Sequence, residues 1–370
     1  MSRAYAMSRG RKWALLASCL VAPLMLAITA VPLIAQRGAL RFRSVSITDP
    51  LMNNEEAFRL LVPVDWRVTG GIDWHPELAT LAFTRLVLTD PRSPTALEVF
   101  PSIPYTWNER GLLGVTPGGL YLGMYAVPPV DVDRFVREML LPSVRGAVRP
   151  RILGREALPA IARQLAIQLQ EPGAVKQTEA VRTRITYQSG GQAIEEDIYC
   201  LMVYSRTPAV PGLTLWGADR VFGFRAAAGQ LDRQSPVLHA IASSVRVNPR
   251  WFARYLQARE AWVAGRMEGI RQAGELSRYL SRTSAEISDM QMQAWENRQA
   301  SQDRTHQRFS EYIRGVGTYH DPYQGREVEL PSGYNDVWVS RAGEYILAND
   351  PNLNPNVSAG GTWERMTPRP

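Results

Sequence analysis

Apolar and polar residues alternate, or form short apolar runs, along much of residues 38–249, and this pattern predicts strands with few helices. Two windows have a helical period instead. These are residues 130–144, with Asp131 as the N-cap, and residues 235–243, with Ser235 as the N-cap and Pro236 at the first helical position. The order of elements predicts an α+β domain in which an antiparallel sheet carries helices on one face. The predicted strands are residues 57–63, 81–88, 96–103, 181–188, 193–204, 213–224 and 245–247.

Residues 250–316 have a different pattern, because apolar positions such as Phe252, Tyr255, Leu256 and Val263 recur near the helical period. This predicts a long amphipathic helical segment, built as one helix or as two. The apolar positions do not keep a strict heptad, which favours a helix packed on a neighbouring element over a coiled coil.

Residues 317–370 form a small β-rich tail in the predicted organisation. Alternating runs at 326–330, 336–340 and 344–347 are separated by turn residues, and this spacing predicts a three-stranded meander. The chain thus divides into a leader at 1–36, an α+β domain at 38–249, a helical segment at 250–316 and this tail.

Residues 1–36 have the pattern of a signal peptide or an N-terminal membrane anchor. Residues 1–12 are basic and acid-free, and residues 13–35 are apolar and uncharged. The apolar run is long enough to span a bilayer, which favours a retained anchor, whereas Pro23 and Pro32 shorten its helical part and favour a cleaved signal. A further alternative is acylation of Cys19, because residues 16–19 (LASC) resemble a bacterial lipobox.

The leader also predicts the compartment. Its basic end favours an N-terminus that stays inside while the rest of the chain is exported. We therefore expect a periplasmic or other extracytoplasmic location, or anchorage in the inner membrane through residues 13–35.

The net charge of +7 does not indicate a nucleic-acid partner. Arg3, Arg9, Arg11 and Lys12 supply four of these charges, so the excess lies largely in the leader and not on one face of a folded domain. Cys19 lies in the leader as well. The exported part therefore contains a single cysteine, Cys200, and cannot form an internal disulfide.

Two segments resemble parts of known families. Residues 58–66 (FRLLVPVDW) resemble the opening strand and P-x-x-W turn of the PsbP/Mog1-like α+β fold, and residues 238–245 (LHAIASSV) are similar to its last helix leading into a strand. The resemblance covers about residues 40–248. It implies a protein that binds other proteins or assists assembly, with no catalytic residue to carry over. The tail is similar to that of uncharacterised exported bacterial proteins, in which Tyr-Asn, Trp and Gly-Glu-Tyr recur, here as Tyr334-Asn335, Trp338 and Gly343-Glu344-Tyr345.

The sequence contains no cluster of residues that indicates catalysis, a cofactor or a metal. The histidines lack the spacing of metal ligands. They are His75, His239, His306 and His320. We therefore predict no catalytic residue. If the protein is instead an envelope hydrolase with a site assembled from distant residues, the candidates are Asp65, His75 and Cys200.

The aromatic residues of the tail are the candidate binding residues. Tyr334, Trp338 and Tyr345 would contact a partner or ligand if they shared an exposed face, and the alternative is that they pack inside the protein. The leading hypothesis is an exported, non-enzymatic binding or assembly protein of the bacterial cell envelope. Its partner would be another envelope protein or a cell-wall component. The alternatives are the hydrolase and a cell-wall glycan binder that uses these aromatic residues.

Overall fold

The structure is a computed structural model that describes residues 39–368 except 112–115, 122, 170–173, 207, 209, 266–275, 277, 279, 281–287, 311–312 and 314. The predicted leader, with Cys19, lies outside the described residues. None of the helices in the described ranges is both long and apolar enough to cross a membrane. The three parts predicted after the leader belong to one compact unit, Gly38–Pro370.

The chain combines helices with mostly antiparallel sheets, which confirms the predicted mixture of α and β structure. The strands are β1 (Leu40–Asp49), β2 (Glu55–Pro63), β3 (Arg67–Trp74), β4 (Ala82–Thr89), β5 (Ala96–Phe100), β6 (Pro104–Asn108), β7 (Leu120–Tyr121), β8 (Met124–Ala126), β9 (Arg151–Ala157), β10 (Val175–Ser189), β11 (Gln192–Arg206), β12 (Leu213–Ala227), β13 (Arg246–Val247), β14 (Val316–Asp321), β15 (Arg326–Pro331), β16 (Asp336–Ser340), β17 (Tyr345–Ala348) and β18 (Trp363–Arg365).

The helices are α1 (Val132–Arg134), α2 (Leu141–Arg145), α3 (Pro159–Gln168), α4 (Leu231–Ser243), α5 (Pro249–Val263), α6 (Asp289–Ser310) and α7 (Pro355–Ser358). A π-helical turn, Phe135–Leu140, joins α1 to α2, and the amide of Leu141 donates to Val136 O. Pro142 follows and has no N–H to donate, which accounts for the wider turn. Short 3₁₀ turns occupy Pro50–Met52 and Gly146–Val148.

The larger sheet has ten strands and is covered on both faces. Its order is β3-β4-β5-β12-β11-β10-β9, with β6 joined to β12 and with β8 and then β7 beyond β6. Side chains of β11 point alternately into two cores: Ile198 and Cys200 meet the helical stretch 132–145, whereas Tyr199 and Leu201 meet α3 and α4. The prediction of helices on one face is therefore wrong for this sheet, because β11 is apolar on both sides.

The second sheet has six strands, in the order β13-β2-β1-β17-β16-β18, and joins the two ends of the described chain. Leu40 of β1 pairs with Leu347 of β17. The predicted three-stranded meander is wrong as a pairing, because β15 pairs with β14 in a separate hairpin and not with β16. β1 is not among the predicted strands, although apolar and polar residues alternate there (LRFRSVSITD).

Predictions of caps and turns from neighbouring residues agree with the structure better than predictions of strand pairing. The side chain of Asp131 accepts the amide of Arg134 at 2.8 Å, as an N-cap should, and Gly190 and Gly191 turn β10 into β11 with positive φ. The predicted start of α4 is wrong. The helix begins at Leu231, and Ser235 donates back to Leu231 O at 2.9 Å instead of capping. The segment predicted as helical contains α5 and α6, and most residues between them lie outside the described ranges.

The end of α2 is fixed to the larger sheet by a group of four side chains that we call the Arg145 cluster: Arg145, Glu98, Glu196 and Tyr187. Arg145 Nε and Nη2 donate to the two oxygens of Glu196, both at 2.8 Å, and Nη2 also donates to Glu98 at 2.5 Å. The hydroxyl of Tyr187 donates to Glu196 at 2.9 Å. Burial opposes the charged guanidinium, but the two carboxylates outweigh it and raise the pKa of Arg145.

Candidate functional site

A polar cleft of about 260 Å³ lies where α4, β13 and α6 meet the β14–β15 hairpin. It forms there because β13 ends the six-stranded sheet and α6 covers that edge. Trp295 of α6 donates its indole N–H to Val247 O at 2.9 Å, and the Gln299 carboxamide accepts the Val247 amide at 2.8 Å. The lining residues of this polar cleft are Ser243, Arg246, Asp303, Gln307, Thr318, Arg326, Glu327, Val328 and Glu329.

Arg246 forms one wall of the polar cleft. Its Nη1 lies 3.0 Å from Asp303 Oδ1 on α6 and donates to Val245 O at 2.9 Å. Burial, and then the like charge of Arg326, lower the pKa of Arg246. The two guanidinium groups therefore repel each other across the cleft, and an anion placed between them would relieve that repulsion.

Arg326 forms the facing wall on β15. Its Nε donates to Gln324 Oε1 at 2.7 Å, but its Nη1 is a buried atom with no hydrogen-bond partner. An unpaired buried donor on a charged group costs more than one on a neutral group. A guanidinium is also the side chain best suited to bind a carboxylate or phosphate through two parallel hydrogen bonds. This unsatisfied donor is the feature of the cleft that points most directly to a ligand.

The back of the cleft holds a buried imidazole–carboxylate pair. His239 Nε2 of α4 lies 2.6 Å from Glu329 Oε2 of β15, and the two side chains are 2% and 10% exposed. Ser243 is one turn further along α4 and lines the cleft, which places a hydroxyl near the pair. Its Oγ, however, donates to Ala240 O at 3.3 Å, and the imidazole is almost closed to solvent. The arrangement is that of a packed, hydrogen-bonded pair that joins the helix to the hairpin.

The hairpin itself is held by Asp321, which is fully buried. Its carboxylate accepts the hydroxyl of Tyr345 at 2.5 Å and the amides of Tyr323 and Gln324 at 2.9 and 3.0 Å. Burial, followed by the Asp321 carboxylate, raises the pKa of Tyr345. These bonds fix the turn that precedes Arg326, which lines the cleft.

A second cleft of about 320 Å³ continues from the first across α6. Gln164, Arg304, Gln307 and Arg308 line it, so Gln307 borders both clefts. The two clefts together expose four arginines to solvent-filled space, against the acids Asp303, Glu327 and Glu329. The surface around Gln307 is therefore rich in cationic donors.

The predicted binding residues do not share a face. Tyr345 is fully buried in the main core, whereas Trp338 and its cross-strand neighbour Ile346 pack on the opposite face of the sheet. Tyr334 is partly buried against the main core. Tyr345 cannot contact a ligand, because its ring has no exposed area. The prediction of one aromatic surface made by these three residues is wrong, and the packing alternative accounts for them.

The structure also separates the candidate residues of the hydrolase alternative. Asp65 is exposed and pairs with Arg92 at 2.9 Å, and His75 lies 3.1 Å from Glu77. Cys200 is fully buried in β11, where burial raises the pKa of its thiol. A protonated, enclosed thiol is a poor nucleophile.

Within the described residues, no group of three or more His, Cys, Asp or Glu side chains could hold a metal ion. His75 and His239 each face one carboxylate, and His320 is exposed. The side chain of His306 lies outside the described set.

The polar cleft was not visible in the sequence, since its residues come from positions up to ninety apart, as in the His239–Glu329 pair. The one local signal is the alternation of Arg326, Glu327 and Glu329 on a strand next to a turn. The chain matches no protein-family model, and no curated protein matches it. The function must therefore be inferred from the site itself.

Proposed function

We propose that this protein is an exported, non-enzymatic binding or assembly protein of the bacterial cell envelope, and that the polar cleft binds an anionic group of its partner. The partner is another envelope protein or a cell-wall component. The observation that carries the proposal is the buried, unpaired Nη1 of Arg326, a residue that lines the cleft together with the like-charged Arg246. Export, and anchorage or cleavage of residues 1–36, are proposed from the leader alone.

The charges of the cleft favour a carboxylate-bearing group. Asp303 and Glu329 already pair with Arg246 and His239, whereas Arg326 keeps a free donor. A carboxylate bound to Arg326 would satisfy that donor and reduce its repulsion with Arg246. The resemblance to PsbP/Mog1-like proteins supports the same class of function, because members of that family mostly bind proteins or assist assembly.

The helical segment and the tail have a role in this proposal. We suggest that residues 250–316 form an amphipathic helical arm, of which α6 supplies Asp303 and Gln307 to the cleft. The tail supplies the hairpin with Arg326 and Glu329. Deleting the tail is a poor test, because β17 also completes the sheet beside β1. Point substitutions in the cleft are the sharper test.

The test places a photo-reactive amino acid at Gln307 of the full chain, in the cells that normally express it. Gln307 is exposed and borders both clefts. We expect a defined cross-linked adduct in the envelope fraction, and we expect Arg326→Gln to reduce its yield several-fold. Arg137→Gln is the matched control, because Arg137 is exposed on the far side of the larger sheet.

A cross-linker at Val357, which is 83% exposed, controls for random contacts. The proposal fails if Gln307 and Val357 give the same adducts, or if Arg326→Gln leaves the Gln307 adduct unchanged. Recovery of the chain in the cytoplasmic fraction with residues 1–36 intact would remove the envelope from the proposal.

A further inference from the structure

A row of apolar side chains crosses five neighbouring strands of the larger sheet in direct register. Tyr204 of β11 is opposite Trp216 of β12, Trp216 is opposite Tyr105 of β6, and Tyr105 is opposite Tyr125 of β8. Leu120 of β7 ends the row opposite Tyr125. Tyr105 stacks on Trp216 with 4.6 Å between ring centroids. We call these five residues the aromatic row.

The inner half of the aromatic row is already covered by an extended, proline-containing stretch of the chain. Residues 127–130 (VPPV) leave β8 and cross over Trp216 and Tyr204. The indole N–H of Trp216 donates to Val127 O at 2.8 Å, and the hydroxyl of Tyr204 donates to Val130 O at 2.7 Å. These carbonyls are three residues apart, which is one turn of a polyproline II helix. Each proline also restricts the residue before it to extended conformations.

The outer half of the same row is open. Tyr125 is 39% exposed and Leu120 is 46% exposed, while Tyr105 is half-buried between them and Trp216. Burial, and then the neighbouring Tyr125, raise the pKa of Tyr105, so the phenol of Tyr105 stays a protonated donor at neutral pH. Among the described residues, neither hydroxyl has a protein acceptor. The outer half thus offers exposed aromatic and apolar side chains together with two phenol hydroxyls.

We propose that Tyr105, Tyr125 and Leu120 form a docking surface for an extended proline-rich segment of a partner protein. The chain's own residues 127–130 show the mode of binding: the indole N–H of Trp216 and the hydroxyl of Tyr204 donate to two carbonyls that are three residues apart. Grooves lined by aromatic residues bind proline-rich segments in this way, because the segment is extended before it binds and loses little entropy. This surface is separate from the polar cleft, so either proposal can fail alone.

The occupant is a peptide and not a glycan, because the covered half of the row binds peptide carbonyl groups. A neutral sugar could also stack on Tyr105 and Tyr125, and the experiment treats that as a contrary outcome. The probes are a peptide of Val-Pro-Pro-Val repeats, a control peptide of Val-Ala-Ala-Val repeats, and a soluble cell-wall oligosaccharide. Each is titrated calorimetrically into the full chain.

We expect saturable binding of the proline peptide and at least several-fold weaker binding of the alanine peptide. Tyr125→Ala should weaken the proline peptide about tenfold, the loss typical of removing one tyrosine anchor. Tyr105→Phe keeps the ring and removes the hydroxyl, and should weaken it about threefold, as loss of one neutral hydrogen bond does. The control is Val263→Ala, at another apolar side chain that is 73% exposed.

Three outcomes would overturn the docking surface. They are no saturable binding of the proline peptide, equal binding by the Tyr125→Ala variant, and binding of the oligosaccharide at Tyr125 in place of the peptide. Unchanged unfolding curves for the Tyr105→Phe and Tyr125→Ala variants would show that a loss of binding is not a loss of fold.

Discussion

Arg145 and Arg326 both lie among acidic side chains between helices and strands, but their guanidinium groups are satisfied to different degrees. Arg145 has an acceptor at every nitrogen: Glu196 at Nε, Val144 O at Nη1, and Glu196 and Glu98 at Nη2. Arg326 has Gln324 at Nε and no partner at its buried Nη1. We call the Arg145 cluster closed, because every nitrogen has an acceptor, and the group around Arg326 open, because one buried donor has none.

This difference distinguishes an arginine that stabilises the fold from one that can bind a ligand. In a closed buried cluster every charge depends on the others, so removal of one partner leaves an uncompensated charge in the core. In an open cluster a hydrogen-bond donor has no partner until a ligand binds. Removal of that donor should therefore change the free energy of unfolding little and weaken ligand binding strongly. Substitutions in the two clusters test this contrast.

The largest effect should come from Arg145→Ala. Glu196 is 1% exposed and would lose its counter-charge, so we expect the free energy of unfolding to fall by about 3–5 kcal/mol in denaturant titrations. Arg137→Ala is the control, because Arg137 is 60% exposed and should change stability by less than about 0.5 kcal/mol. Equal losses in the two variants would contradict the closed character of the Arg145 cluster.

The next effect tests the packing of that cluster. A Cβ on Gly223 would lie 2.5 Å from Glu196 Oε1 and 3.3 Å from the Phe100 ring, so Gly223→Ala should destabilise the protein by about 1–3 kcal/mol in the same titration. Gly71→Ala is the matched strand control, since a Cβ there meets nothing within 4 Å. A Gly223→Ala variant as stable as Gly71→Ala would mean that Glu196 can move freely.

A smaller effect concerns alkaline pH. Burial, and then the Glu196 carboxylate, raise the pKa of Tyr187 to about 12 from an ordinary value near 10. The folded state disfavours the phenolate, so the contribution of Tyr187 is complete below pH 10 and is lost as the pH rises from 10 to 12. Tyr187→Phe should flatten the pH dependence of unfolding free energy in that window. If the unfolding free energy of the variant changed with pH as steeply as that of the wild type, other tyrosines would be the cause of the pH dependence.

The smallest effect should come from Arg326→Gln without ligand. The change removes an unpaired donor and its repulsion with Arg246, but it also removes the hydrogen bond from Nε to Gln324, so these opposing effects should change stability by less than about 0.5 kcal/mol. Thermal and denaturant unfolding of the variant beside Arg145→Ala measures the contrast directly. A loss as large as that of Arg145→Ala would make Arg326 a structural residue and would weaken the binding proposal.

The caps and turns that were predicted correctly depend on local chemistry. Asp131 caps its helix and Gly190-Gly191 turns its hairpin because each depends on neighbours a few residues away. Strand positions in the tail were also predictable, since side-chain alternation is local. Their pairing was not: β15 has the same pattern whether it joins β14 or β16, and only packing against α4 decides.

The candidate site could be predicted least. Arg246, Asp303 and Arg326 come from β13, α6 and β15, and nothing in their immediate neighbours indicates that they meet. The aromatic row has the same origin, because Tyr204, Trp216 and Tyr105 align only through the register of three strands. The tail aromatics were the more visible signal but belong to the interior.

The pairing of β1 with β17 has a consequence for how this chain folds. β1 lies between β2 and β17. The first strand described therefore cannot form its second pairing until a strand about three hundred residues later in the chain is present. Contacts of such sequence separation make folding slow, because a large loop must close before they can form. A growing chain therefore cannot pair β1 with β17 until residues 345–348 have been made, so the six-stranded sheet stays incomplete until synthesis is nearly finished.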